Sequence, residues 1–148
     1  MNDKLHEVIP RGKFNNLCKT ISNIYIYLRR NGRRGEIFNE IDVNNEYSYE
    51  LLKTGINLII NASCYEYFEF IIDFKFYDIM HGKFDLSSDD IAELLIIKKS
   101  MIYIYNSDTN KLLNLLNELA DNNVRGEILK NFNKEFEVFG INACKKLI

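Results

Sequence analysis

The chain has 148 residues, 47% of them hydrophobic and 27% charged, with a formal net charge of −2. That length suits one domain with a real core, the composition lies far from the disordered range, and the near-neutral balance argues against a wholesale nucleic-acid binder. A single proline among seven glycines leaves few breakers, which favours long helices over a many-turned β fold.

Residues 1–12 read as an N-terminal tail. Phe14, Leu17, Ile21, Ile24 and Leu28 then step by three and four, so the spacing predicts an amphipathic helix over 13–30. Asn31 and Gly32 tolerate the left-handed conformation that ends helices. A short second helix over 35–41 would bury Ile37, Phe38 and Ile41. Asn44 or Asn45 caps a third, in which Tyr47, Leu51, Leu52, Ile56 and Ile59 recur on one side.

Asn61-Ala62-Ser63 reads as a turn, with Ser63 capping a fourth helix over 64–80. That helix carries Phe68, Ile71, Ile72, Phe76 and Ile79, together with an aromatic surplus: Tyr65, Tyr67, Phe70, Phe74 and Tyr77. The run over 68–76 partly alternates, as a strand does, but the uninterrupted length of the segment favours helix. His81-Gly82 ends it. Ser87, Ser88, Asp89 and Asp90 supply cap candidates and early negative charge for a fifth helix to about residue 105. Asn106-Ser107-Asp108 is a second turn and cap, before an apolar stripe of Leu112, Leu113, Leu115, Leu116 and Leu119. A last helix spans 124–139, and 141–148 read as a C-terminal tail. The expected fold is all-α: a single compact bundle of six or seven helices over 13–140.

Cys18, Cys64 and Cys144 are odd in number and far apart, and they form no metal-ligand spacing. They read as buried reduced thiols, which points to the cytoplasm. The first residues lack the apolar core of a signal peptide. Apolar stretches break well short of the ~18 residues a membrane span needs, so no transmembrane segment is expected.

The densest charge lies where Arg29, Arg30, Arg33 and Arg34 crowd round Gly32 and Gly35, with Glu40 following. Three uses compete: binding an acidic protein surface, binding phosphate or nucleic acid, or a solvated helix end whose cations complement the helix dipole. A phosphate loop needs glycine-rich backbone between a strand and a helix, whereas this segment follows a helix. Nucleic-acid binding would bring more basic residues to the same face. Elsewhere His6 and His81 are far apart, and no Ser-His-Asp order or nucleophile elbow occurs. Glu66, Glu69 and Asp73 have a spacing that suits a metal, yet it is also the spacing of a solvated helix face. No catalytic residue, cofactor or metal site is assigned. The expectation is a non-enzyme that binds protein and not nucleic acid, as a monomer or dimer.

Arg33 and Arg34 before Gly35, Glu40 five residues after it, and LLKTGINLIINA from Leu51 to Ala62 together resemble the cytoplasmic region of the MotA family, the stator subunits of the flagellar motor. The segment from Leu94 to Leu119 is similar to that family's cytoplasmic helix after its last membrane span. The resemblance covers 14–119. It implies a cytoplasmic accessory or regulatory motility protein, peripheral at the motor, whose partner is a rotor protein of the FliG kind or a stator component. Arg33 and Glu40 would make the contact, with Arg29, Arg30 and Arg34 as neighbours. Gly32 stands where the family usually has another arginine. Only residues 81–89 stand where its membrane spans would intervene, so no ion conduction is expected. The alternative is a helical interaction protein unrelated to motility, for example a virus-encoded decoy. It would bind through an apolar cleft lined by Phe68, Phe70, Phe76 and Leu112.

Overall fold

A computed structural model describes residues 9–30, 37–43, 45–82 and 85–139, with side chains as far as residue 134. Among the described residues there are six α-helices and no strand. They are α1 (Asn15–Arg30), α2 (Glu46–Ile60), α3 (Tyr65–Gly82), α4 (Ser88–Tyr105), α5 (Thr109–Leu119) and α6 (Asn122–Phe139). The fold is therefore the all-α bundle that the apolar spacing dictates. The second predicted helix is shorter than expected within the described residues: a 3-10 turn over Phe38–Glu40 gives way to extended backbone at Ile41. It still seats Ile37 in the core, and Phe38 and Ile41 lie against it.

Local side-chain chemistry sets the helix starts. The Asn45 side chain accepts the Ser48 amide at 2.8 Å and caps α2. Ser87 and Asp90 form a reciprocal capping box at the head of α4, each hydrogen bond 3.1 Å long. Asp121 Oδ1 accepts the Val124 amide at 3.0 Å, so α6 opens at Asn122, ahead of the expected Val124. Such caps stabilise a helix by about 0.5–2 kcal/mol each, because they satisfy amides that have no intrahelical acceptor. Ser63 does not lead α3 as its sequence position suggests. The Cys64 carbonyl accepts the Phe68 amide at 2.9 Å. Ser63 belongs instead to the end of α2, its amide bonded to the Leu58 carbonyl at 3.2 Å, and its own carbonyl accepts the Tyr105 hydroxyl.

The two connections α2–α3 and α4–α5 are built alike. At the end of α2 the Ala62 amide bonds the Ile59 carbonyl, and the Ser63 amide bonds that of Leu58. At the end of α4 the Ser107 amide bonds Ile104, and the Asp108 amide bonds Tyr103. Both are Schellman motifs with an asparagine C-cap, Asn61 and Asn106. The left-handed residue of each, Ala62 at φ 55° and Ser107 at φ 54°, is not glycine. The pairs 61/106, 62/107 and 63/108 keep one constant offset. The same offset relates Gly55 to Ser100, small buried residues of α2 and α4.

Helix α4 is the centre of the bundle, packing on α1, α2, α3 and α5. Leu94, Ile96, Ile97 and Met101 are fully buried along it. Gly55 lets α2 approach: a Cβ there would lie 2.7 Å from Met101 Sδ and 2.9 Å from its Cγ. Phe68 stacks on Tyr105 with centroids 4.5 Å apart, tying α3 to the end of α4. Thr20 Oγ1 accepts the Asp42 amide at 3.1 Å and donates to its carbonyl at 3.3 Å, holding the segment after Glu40 along α1. The turn before α1 is stitched to the α5–α6 junction. The Gly12 amide bonds the Leu119 carbonyl at 2.8 Å, and Asn15 exchanges two hydrogen bonds with Asp121, of 2.8 and 3.1 Å. Gly12 sits at φ 92°, where a side chain would be strained and its Cβ would crowd Asp121 at 3.2 Å.

Candidate functional site

Of the five residues expected to form a basic contact patch, the structure places three. Arg29 and Arg30 occupy the last turn of α1, where the helix dipole favours cations. The Arg29 guanidinium lies 5.7 Å from the Tyr25 ring centroid, and its Nη1 donates to the Tyr25 hydroxyl at 3.4 Å. Tyr25 is buried, packs on Phe132 at 5.7 Å and bonds Thr109 through its hydroxyl. Arg29 is thus positioned by a tyrosine anchored in the core, while Arg30 is exposed. Glu40 is half-buried in the 3-10 turn, which packs on α1. Arg33 and Arg34, with Gly32 and Gly35, lie outside the described residues.

A second surface carries more apolar area. Along α3 the residues Tyr67, Phe70, Phe74 and Tyr77 are 52%, 64%, 63% and 62% exposed. Their spacing of three, four and three puts them on one face, opposite Phe68, Ile72 and Ile79, which are buried in the core. Phe70 and Phe74 touch, with centroids 6.4 Å apart. His81 prolongs the stripe by stacking on Tyr77 at 4.8 Å. The helix is apolar on two sides, and the fold covers one of them.

Among the described residues Glu93 is the one buried carboxylate, 8% exposed. Its Oε2 accepts Ser48 Oγ at 2.7 Å and Asn45 Nδ2 at 3.0 Å, and Asn45 Nδ2 also reaches Asp90 at 3.3 Å. Burial raises the Glu93 pKa, the Ser48 hydrogen bond opposes that, and the nearby Asp90 charge adds to the rise. Asn45 caps α2 and Asp90 closes the α4 capping box, so this cluster fastens two helix starts together. The chelating option for α3 is weakened by its own contacts. Asp73 pairs with Lys98 at 2.9 Å, Glu69 accepts the Tyr65 hydroxyl at 3.0 Å, and no group of metal-ligating side chains forms among the described residues.

Two expectations are corrected. Cys18 is buried, its thiol pushed up to about 12 by desolvation, but Cys64 is exposed, because it stands at the head of α3 outside the helix contacts. Cys144 and His6 lie outside the described residues. The cleft expected from Phe68, Phe70, Phe76 and Leu112 does not form: Phe68 and Leu112 are fully buried, Phe76 is half-buried, and Phe70 alone is exposed. The apolar surface is a convex stripe instead. Its members other than Phe70 were legible only as an aromatic surplus, and their common spacing is the signal that marks them as a face.

No helix among the described residues is long and apolar enough to cross a membrane. Comparison with protein-family models, with curated proteins and with solved structures finds no match for this chain.

Proposed function

We propose that this chain is a non-enzymatic protein-interaction domain, resembling the cytoplasmic part of a flagellar stator subunit without its membrane helices. The observation that carries the interaction reading is the α3 stripe, four aromatic side chains each more than half exposed on one face. A large apolar side chain left in water forgoes roughly 1.5–3 kcal/mol of burial, and contiguous exposed apolar area marks interaction surfaces. The buried polar cluster around Glu93 accords with the non-enzymatic part of that reading, since its hydrogen bonds join α2 to α4.

The resemblance assigns the partner: a rotor protein of the FliG kind or a stator component, met by Arg29, Arg30, Arg33, Arg34 and Glu40. Exposed ion pairs contribute only ~0–1 kcal/mol each, so affinity at that patch falls with salt and draws apolar help from a helix face. The test is binding of the full chain to a FliG-like protein, wild type against Arg33→Glu and Glu40→Lys. Weakening by about tenfold in each variant supports the motor assignment, and unchanged binding overturns it. An interaction protein unrelated to motility, the second reading, uses the same stripe and shows no rotor binding.

A further inference from the structure

The α3 stripe has the register of a coiled-coil seam. Tyr67, Phe70, Phe74, Tyr77 and His81 alternate spacings of three and four, the a and d positions of a heptad, and the run from Tyr67 to His81 is about 21 Å long at the helical rise. In that register Glu66 and Asp73 fall at g and Asp78 at e, while Ile71 and Met80 take the remaining flanking places. Every charged flanking position is acidic. Glu66 and Asp78 are exposed and make no ion pair among the described residues. Two nearby cations among the described residues are engaged: Lys98 pairs with Asp73 at 2.9 Å and lies 4.9 Å from the Phe76 ring centroid, and Lys75 meets Glu50 at 3.9 Å.

This pattern decides between occupants. A second copy laid parallel along the stripe would set Asp73 against the other copy's Asp78, and one laid antiparallel about the middle of the stripe would set Asp73 against Asp73. Like charges at flanking positions oppose pairing. An anionic lipid surface is repelled for the same reason. We infer that the α3 stripe docks an amphipathic helix of a partner protein, aliphatic along its seam and lysine- or arginine-rich on both flanks. The inference rests on the interaction reading above and adds the chemistry of the partner.

The test uses the full chain and two synthetic helical peptides of four heptads with leucine at a and d, one with lysine and one with glutamate at e and g. Wild type is expected to bind the lysine peptide and not the glutamate peptide, more weakly as salt rises. Phe70→Gln and Phe74→Gln each lower affinity on the order of 30-fold, the loss typical of a central interface anchor. Glu66→Lys/Asp78→Lys, which leaves the aromatics in place, reverses the peptide preference. Equal binding of both peptides, no binding, capture of wild type by anionic vesicles, or a dimer in sedimentation that Phe70→Gln/Phe74→Gln dissolves would each overturn the inference. A rotor protein bound through Arg33 and indifferent to the Phe70 and Phe74 variants would also overturn it, while leaving the interaction function standing.

Discussion

Ala62 and Ser107 hold the same left-handed backbone, φ 55° and 54°, at the same place in two helix ends. The bundle thus uses one connection twice, after α2 and after α4, and neither copy has the glycine that such a position favours. A non-glycine residue there costs roughly 1–2 kcal/mol. Glycine would relieve that but adds about 0.4–1 kcal/mol of unfolded-state entropy.

Ala62→Gly is therefore expected to stabilise the protein by about 0.5–1 kcal/mol. In urea unfolding this appears as a higher midpoint with an unchanged slope. A lower midpoint would mean that the Ala62 methyl makes a compensating contact.

Gly55→Ala tests the approach of α2 to α4. Alanine gains roughly 0.8–1 kcal/mol of helix propensity, but its Cβ would sit 2.7 Å from Met101 Sδ and 2.9 Å from Cγ. Met101 is fully buried, so it has little room to yield, and overpacking costs about 1–3 kcal/mol. The expected net effect is a loss of about 1–2 kcal/mol. In a Met101→Ala background the same substitution becomes stabilising, and a double-mutant cycle read by urea unfolding reports that reversal.

Glu93 and Asp121 shift stability with pH in opposite directions. Burial raises the Glu93 pKa above the ordinary 4.5, so the folded protein holds that proton more tightly than the unfolded chain. Its contribution is fully present below the ordinary value and is lost as pH rises through the raised one. Glu93→Gln should therefore gain on wild type as pH rises across that window and show a constant difference below it. The Val124 amide and the Asn15 side chain lower the Asp121 pKa below the ordinary 3.8. Its contribution is present above 3.8 and is lost as pH falls through the depressed value. Asp121→Asn should thus be most destabilised at neutral pH and converge on wild type in acid. Unfolding curves across pH 2–8, roughly the range that spans ordinary carboxylate titration, separate the two.

The bundle was readable because its signals are local. Spacings of three and four set the helices, and Asn45 and Ser87 cap where a polar residue precedes an apolar run. Ser63 misleads for a tertiary reason: its amide completes the preceding helix end and its carbonyl serves Tyr105. The stripe on α3 was half-legible. Phe68 and Phe70 are the same residue type two positions apart, and only the packing of α2 and α4 on α3 decides that one is core and the other exposed. Arg29 likewise reads as bare charge until Tyr25 is seen beneath it.

If Phe70 and Phe74 serve binding and not folding, their loss should be nearly silent in stability. Phe70→Gln/Phe74→Gln is expected to unfold within about 0.5 kcal/mol of wild type per site, as surface substitutions do. Phe68→Ala, in the core of the same helix, is expected to lose about 3–5 kcal/mol. Equal losses in the two variants would place the stripe in the fold.

The most direct measurement is an amide chemical-shift titration of the full chain with the lysine-flanked helical peptide. The account predicts perturbations concentrated on 66–81, along the exposed face of α3, and their disappearance in Phe70→Gln/Phe74→Gln. Perturbations centred on α5 and α6, or none at all with a folded protein, would contradict it.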